Sequence, residues 1–209
     1  MVKSRTSKQL KRRIDFRSLN KVELIVCEGS VTEPVYFRSL RGALRLHAVK
    51  VEVVGLRQSR PIDVVDHAIS KKKQGAREGV PYDRIWCIVD VELPQHKTLD
   101  QARQRAAQVS NVKLILSNPF FEYWFLLHFK KIITPFSEDK QLQKTLKEVH
   151  PTYKKTDIGF NVLYPRTDIA IRHSKEVLIE TTCAKDLRDY NPSTHVHILV
   201  EHLQKIALQ

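Results

Sequence analysis

Nowhere does this chain run apolar for the roughly 18 residues that a membrane span requires, so a transmembrane helix is excluded. Its first residues are basic and polar and lack the apolar centre of a signal peptide, which points to a cytoplasmic protein. Cysteine is scarce: Cys27, Cys87 and Cys183 stand far apart, in odd number and with no CxxC pair. That spacing fits reduced, mostly buried thiols and argues against a disulfide framework or a structural zinc. No internal repeat or low-complexity tract breaks the sequence. Acidic residues are also few, 23 Asp and Glu against 36 Lys and Arg.

The remaining composition is that of a folding chain. At 209 residues, with 42% hydrophobic and 28% charged residues, it suits one domain with a sizeable core, or one domain carrying an added lobe. The net charge of +13 favours a polyanionic partner, nucleic acid first, because each neutralised phosphate releases condensed counterions. Much of the excess lies at the start, where Lys3, Arg5, Lys8, Lys11, Arg12, Arg13, Arg17 and Lys21 face only Asp15. That segment reads either as a flexible arm on a phosphate backbone or as a solubilising tail. Lys71, Lys72 and Lys73 are expected to end a helix, where cations meet the helix dipole favourably.

From residue 22 short β-branched runs alternate with helical periods, the pattern of an α/β sheet domain. Strands are expected at Val22–Cys27, Val49–Val54, Arg84–Asp90 and Val112–Leu116. Helices are expected at about Glu33–His47, from Pro61 onward, and at Leu99–Val109, giving a βαβαβαβ core. Residues 119–129 read as a helix apolar on all sides, interrupted only by Glu122, His128 and the Tyr123 hydroxyl, and so as buried. Residues 138–149, 168–184 and 194–206 read as amphipathic helices, and Pro151–Lys155 as an exposed loop. The expected division is a basic arm over 1–20, an α/β core over 21–130 and a helical C-terminal extension over 131–209 packed on that core.

The first strand ends in Cys27-Glu28-Gly29-Ser30 and the third in Asp90-Val91-Glu92. Ligands of open α/β sheets collect outside the carboxyl ends of the strands, so these acids share one rim. If the third strand stays extended, Asp90 and Glu92 project to one side about 6.5–7 Å apart and reach a common cation. Oxygen donors with room for water and phosphate suit Mg²⁺ or Mn²⁺. Gly29 allows a sharp turn and leaves space for a phosphate. Glu33 is either a further ligand or a carboxylate favouring a helix N-terminus. Glu122, costly inside an apolar helix unless paired, either joins the site or belongs to a structural network with an Arg or a backbone amide of the Ser117-Asn118-Pro119 turn. His128 reads as a core histidine. His195 and His197 point apart on a helix and share no metal, and Asn191-Pro192-Ser193-Thr194 reads as a turn and helix cap.

Glu-Gly after the first strand and an acidic-x-acidic pair after the third resemble the Toprim domain of topoisomerases, bacterial primases and OLD-type nucleases. Longer stretches resemble the RloB-like branch: CEGSVTEPVYF at 27–37, IVDVE at 88–92, SNPFFEYWFLLHF at 117–129 and NPSTHVHILVEHL at 191–203. The resemblance implies a Toprim, Rossmann-like, mostly parallel sheet flanked by helices. It further implies a metal-dependent nuclease of bacterial antiphage defence, encoded beside an ATPase partner. It makes Glu28 the acid/base or metal-organising carboxylate and Asp90 and Glu92 metal ligands. The pair is Asp90-x-Glu92 here where Asp-x-Asp is usual.

The expected function is therefore hydrolysis of DNA or RNA phosphodiesters by a metal-activated water, with Glu28, Asp90 and Glu92 catalytic and Glu33 and Glu122 as further metal ligands. Arg57, Arg60, Lys113, Lys11, Arg12 and Arg13 are the expected nucleic-acid contacts. The alternative is a non-catalytic adaptor that binds nucleic acid or regulates the ATPase through a degenerate site. Primase-like nucleotide synthesis ranks below both, since no zinc module or template-handling domain is evident.

Overall fold

The computed structural model describes residues 22–53, 59–180 and 189–208. Lys11, Arg12, Arg13, Arg57 and Cys183 lie outside the described residues. Four parallel strands, β1 (Glu23–Cys27), β2 (Val49–Val53), β3 (Arg84–Asp90) and β4 (Val112–Asn118), and the short antiparallel β5 (Ser193–Thr194) form one sheet in the order β2-β1-β3-β4-β5. The β-branched runs fold this way because both faces of the sheet are covered. Side chains alternate between two cores: Leu24, Val26, Ile85, Cys87 and Val89 enter one, while Ile25, Cys27, Trp86 and Ile88 enter the other.

The first core is closed by α2 (Pro61–Arg77) and α3 (Leu99–Ala107), through Val64, Val65, Ala68, Ile69, Leu99 and Ala102. Across the sheet, α1 (Thr32–Ala43) packs through Tyr36, Phe37 and Leu40. The same core takes in α4 (Glu122–Leu126), α5 (Asp139–Val149), α6 (Phe160–Leu163), α7 (Thr167–Glu180) and α8 (Val196–Ala207). The C-terminal helices thus share a core with α1 and the sheet, and the C-terminal region also supplies β5. The buried thiols of Cys27 and Cys87 are free, and burial raises the pKa of both, Cys87 to about 12.

Several expectations are corrected. The apolar segment 119–129 holds a helix only over Glu122–Leu126, because β4 runs on to Asn118 and the residue before Pro119 is held extended. All five residues of α4 are buried, which accounts for apolar character on every side. Ser193 and Thr194 form a strand rather than a simple turn, pairing with Asn118 and Ser117. Thr194 Oγ1 still accepts from the Val196 amide at 3.2 Å, so part of the cap survives. Lys71–Lys73 sit inside α2, which continues to Arg77, and so do not meet a helix end. Among the described residues no helix is long and apolar enough to cross a membrane.

Candidate active site

The chain leaves β1 toward β2 on one side and later returns to place β3 on the other, so the strand order reverses between β1 and β3. A sheet of this kind opens a crevice at the carboxyl ends of the two strands that flank such a reversal. Glu28 follows β1 and Asp90 closes β3, in the crevice. The Glu28 amide donates to the Ile88 carbonyl at 3.1 Å, and the Asp90 amide donates to Glu28 Oε2 at 3.1 Å. The Gly29 amide donates to Glu33 Oε1 at 3.1 Å, fixing the first turn of α1 against the end of β1. A side chain at Gly29 would displace the Glu33 carboxylate from the Gly29 amide, so glycine preserves that contact.

Glu92 reaches the site by a different route from the extended pair expected from sequence. Strand β3 ends at Asp90, and Glu92 adopts a left-handed backbone with φ of 67°. The Val91 amide donates to the Ser117 carbonyl at 2.8 Å and the Glu92 amide to the Pro119 carbonyl at 3.0 Å, so the chain follows the bend after β4 instead of staying straight. Even so, Glu28, Glu33, Asp90 and Glu92 line one cleft of about 610 Å³, with Gly29, Ser59, Arg60 and His96.

Crowding and burial set the charge state of this cluster. Burial, then the nearby Glu92, Glu33 and Asp63 charges, push the Glu28 pKa up to about 8 against a donated Asp90 amide. The Asp90 pKa is driven well above the usual carboxylate range by burial and by Glu33, Glu122, Glu28 and Glu92. The Glu33 pKa is raised by burial and by Glu122.

Glu122, 5% exposed, is met by a tyrosine and a lysine. Tyr153 Oη donates to its Oε1 at 3.2 Å, and Lys155 Nζ lies 3.4 Å from the same oxygen. The loop read as exposed therefore brings a buried tyrosine and a lysine to Glu122, which does not itself line the cleft. Burial lowers the Lys155 pKa, but the charges of Glu122 and Asp139 outweigh it and hold it above its usual value.

Whether these residues suit a cation is decided by two oxygens. Glu28 Oε1 and Asp90 Oδ1 are buried without a hydrogen-bond partner, which is costly for carboxylates unless a proton or a cation serves them. Hard oxygen donors of this type fit Mg²⁺ or Mn²⁺. Among the described residues no group of three or more His, Cys, Asp or Glu side chains already stands at metal-holding positions.

Of the expected nucleic-acid contacts, Arg60 lies at the cleft but makes a paired contact with Asp63, Nε to Oδ2 at 2.9 Å and Nη2 to Oδ1 at 2.8 Å, at the start of α2. Lys113 is exposed near the opposite end of β4, opposite Trp86 in the register. His128 is a core residue whose Nδ1 is 2.9 Å from the Trp124 carbonyl, with a pKa lowered to about 4, chiefly by burial. His197 meets Ser174 Oγ at 2.9 Å and is likewise lowered to about 4, chiefly by burial. Sequence reasoning missed Ser59, His96, Tyr153 and Lys155; only the burial of Glu122 signalled that a partner must exist. It also missed Lys140, Lys144 and Lys147, which line a shallow cleft of about 440 Å³ on α5.

A family model described as RloB-like protein matches residues 23–203. No curated protein and no solved structure matches the chain.

Proposed function

The chain belongs to the RloB-like family, and we propose that it is a divalent-cation-dependent phosphodiesterase that cuts nucleic acid. The observation that carries this reading is the pair of buried, unpartnered oxygens, Glu28 Oε1 and Asp90 Oδ1, at the switch point of a parallel sheet in a chain of net charge +13. Carboxylates gathered this closely, on a protein whose overall charge attracts phosphates, are the donor set for a phosphoryl-transfer cation.

Asp90 and Glu28 would hold Mg²⁺ or Mn²⁺, with Glu33, Glu92 and Glu122 around them. When bound, the cation polarises a phosphoryl oxygen and lowers the pKa of a water. Glu28, whose pKa of about 8 favours the protonated acid at neutral pH, would have to be ionised to hold the cation. The Asp90 amide holds its Oε2 in place, leaving Oε1 for the cation. Lys155, held cationic beside Glu122, offers charge to an anionic substrate. Lys140, Lys144 and Lys147 share one face of α5 and extend the positive surface. A role in antiphage defence beside an ATPase partner, in the cytoplasm, is the setting that the family resemblance suggests.

A second reading, a nucleic-acid-binding adaptor with a degenerate site, is favoured by one observation. The left-handed backbone of Glu92 takes it out of the strand geometry that an acidic-x-acidic pair would use. Incubating the purified chain with single- and double-stranded DNA and RNA, with Mn²⁺, Mg²⁺ or EDTA and with its neighbour-encoded ATPase, separates the two. Cation-dependent cleavage lost in Asp90→Asn is the expected result. Binding without cleavage under every condition would leave the adaptor.

A further inference from the structure

A second cleft of about 500 Å³ adjoins the carboxylate cleft and shares Glu92 and His96 with it. Its other walls include Leu93, Pro94, Lys97 and the half-buried ring of Phe120. The volume falls in the range of small-ligand pockets, roughly 300–1,000 Å³. One wall is thus aromatic and apolar, His96 stands at the junction with the carboxylate cleft, and the exposed Lys97 lines the side cleft.

The Thr98 contacts set the tautomer of the neutral His96 ring. The Thr98 backbone amide, which can only donate, points to His96 Nδ1 at 3.1 Å, and Thr98 Oγ1 lies at 3.1 Å from the same atom. Nδ1 is therefore an acceptor and the neutral ring carries its proton on Nε2. The N–H donor is the nitrogen not engaged by Thr98, on a residue common to both clefts.

We propose that this side cleft is a nucleotide subsite, in which an unpaired base lies against Phe120 while His96 Nε2–H and Lys97 hold the adjoining phosphate. The proposal rests on the phosphodiesterase reading and names its substrate class: single-stranded or locally unpaired nucleic acid. A base stacked and paired inside a duplex has no free face for an aromatic wall and must first leave the stack. Continuity through Glu92 and His96 places the subsite beside the cleft that holds Glu28 and Asp90. Glu92 repels a phosphate at this junction unless a cation neutralises it, so occupancy of the two clefts is linked.

The test measures binding of the full chain to labelled single strands and to blunt duplexes of equal length, as DNA and as RNA, with Ca²⁺ as a hard cation and with EDTA. Wild type is expected to bind single strands about tenfold more tightly than duplexes in at least one sugar series, and only with Ca²⁺. Phe120→Leu, which keeps apolar volume but loses the ring, is expected to erase the preference, and Phe120→Tyr to retain it. His96→Gln is expected to weaken single-strand binding several-fold. Because Phe120 packs partly against the core, an abasic site moved along the oligonucleotide gives a readout on wild type alone, and one position should lose affinity.

Equal affinity for single strands and duplexes in both series, or indifference to the abasic site at every position, overturns the proposal. If that occurs while Mn²⁺-dependent cleavage persists, the side cleft alone is lost. Wild type that neither binds nor cleaves any of these nucleic acids overturns the phosphodiesterase reading together with this one.

Discussion

The backbone amide of Asp90 donates to the side chain of Glu28 at 3.1 Å, tying the ends of β1 and β3 together by the same residues that supply the buried acidic oxygens. Glu28→Gln keeps an acceptor for that amide and fixes the neutral form that the cation-free site favours at neutral pH. It is expected to abolish cleavage while leaving the cation-free protein as stable as wild type or more so. Asp90→Asn should behave likewise and raise stability by about 1 kcal/mol, a rise in Tm of roughly 2–4 °C. Thermal denaturation with and without Mn²⁺ checks both, and a large loss of apo stability would contradict like-charge crowding. The cation should raise Tm in wild type and much less in the variants.

The same crowding predicts how apo stability depends on pH. The Glu28 pKa is raised from 4.5 to about 8 on folding, so its stabilising proton is fully present below pH 4.5 and lost as pH rises through 8. Glu33 and Asp90 shift in the same direction. His128 and His197 act oppositely: folding lowers their pKa from 6.5 to about 4, so stability is lost as acid drives the pH from 6.5 toward 4. Above about pH 7.5 the unfolded imidazoles are largely neutral as well, and the carboxylates dominate. Stability without cation should fall there by up to about 1.4 kcal/mol per pH unit from Glu28, and Glu28→Gln should flatten the slope. Mn²⁺ affinity should rise over the same range as protons leave. Urea denaturation across this window measures the slope.

At Glu92 the backbone and the carboxylate make separable contributions. Glu92→Gly relieves a left-handed conformation and should stabilise the fold by about 1 kcal/mol while lowering activity. Glu92→Asp keeps a carboxylate on a residue that tolerates this backbone, and should keep or raise activity. Unchanged cleavage in Glu92→Gly would remove Glu92 from the site.

Tyr153→Phe deletes the hydroxyl that donates to buried Glu122. A cost of about 1–2 kcal/mol is expected, because the carboxylate loses a charge-assisted hydrogen bond. In a Glu122→Gln background the same change should cost less, and the double-mutant cycle gives the coupling. Lys155→Met should lower cleavage more than stability, since its side chain is 53% exposed.

Nucleic-acid affinity should fall steeply with salt. Deleting residues 1–20 should flatten the log–log slope and preserve the fold; an unchanged slope would remove the N-terminal arm from the phosphate contacts.

Much of the architecture was legible in the chain because it follows from local patterning. The β-branched runs ending at Cys27 and Asp90 became buried parallel strands, and the Tyr36-Phe37-Leu40 stripe became the buried face of α1. Placement of Glu28, Asp90 and Glu33 at one rim followed from the rule that parallel strands present their carboxyl ends together. The short α4 and the strand at Ser193–Thr194 were not legible. A five-residue helix and a two-residue strand are specified by partners distant in sequence, Leu116–Asn118 for β5 and the surrounding helices for α4.

By itself the sequence determined the sheet class, the basic surface and the acidic residues that end β1 and β3, because periodicity, charge and turn chemistry act over a few residues. Only the tertiary structure decided that Glu92 enters the cleft through a left-handed turn, that Tyr153 and Lys155 serve Glu122, and that His96 joins two clefts. Each of these depends on which carbonyl, hydroxyl or ammonium arrives from a distant segment, and a side chain's chemistry does not state how far along the chain its partner lies.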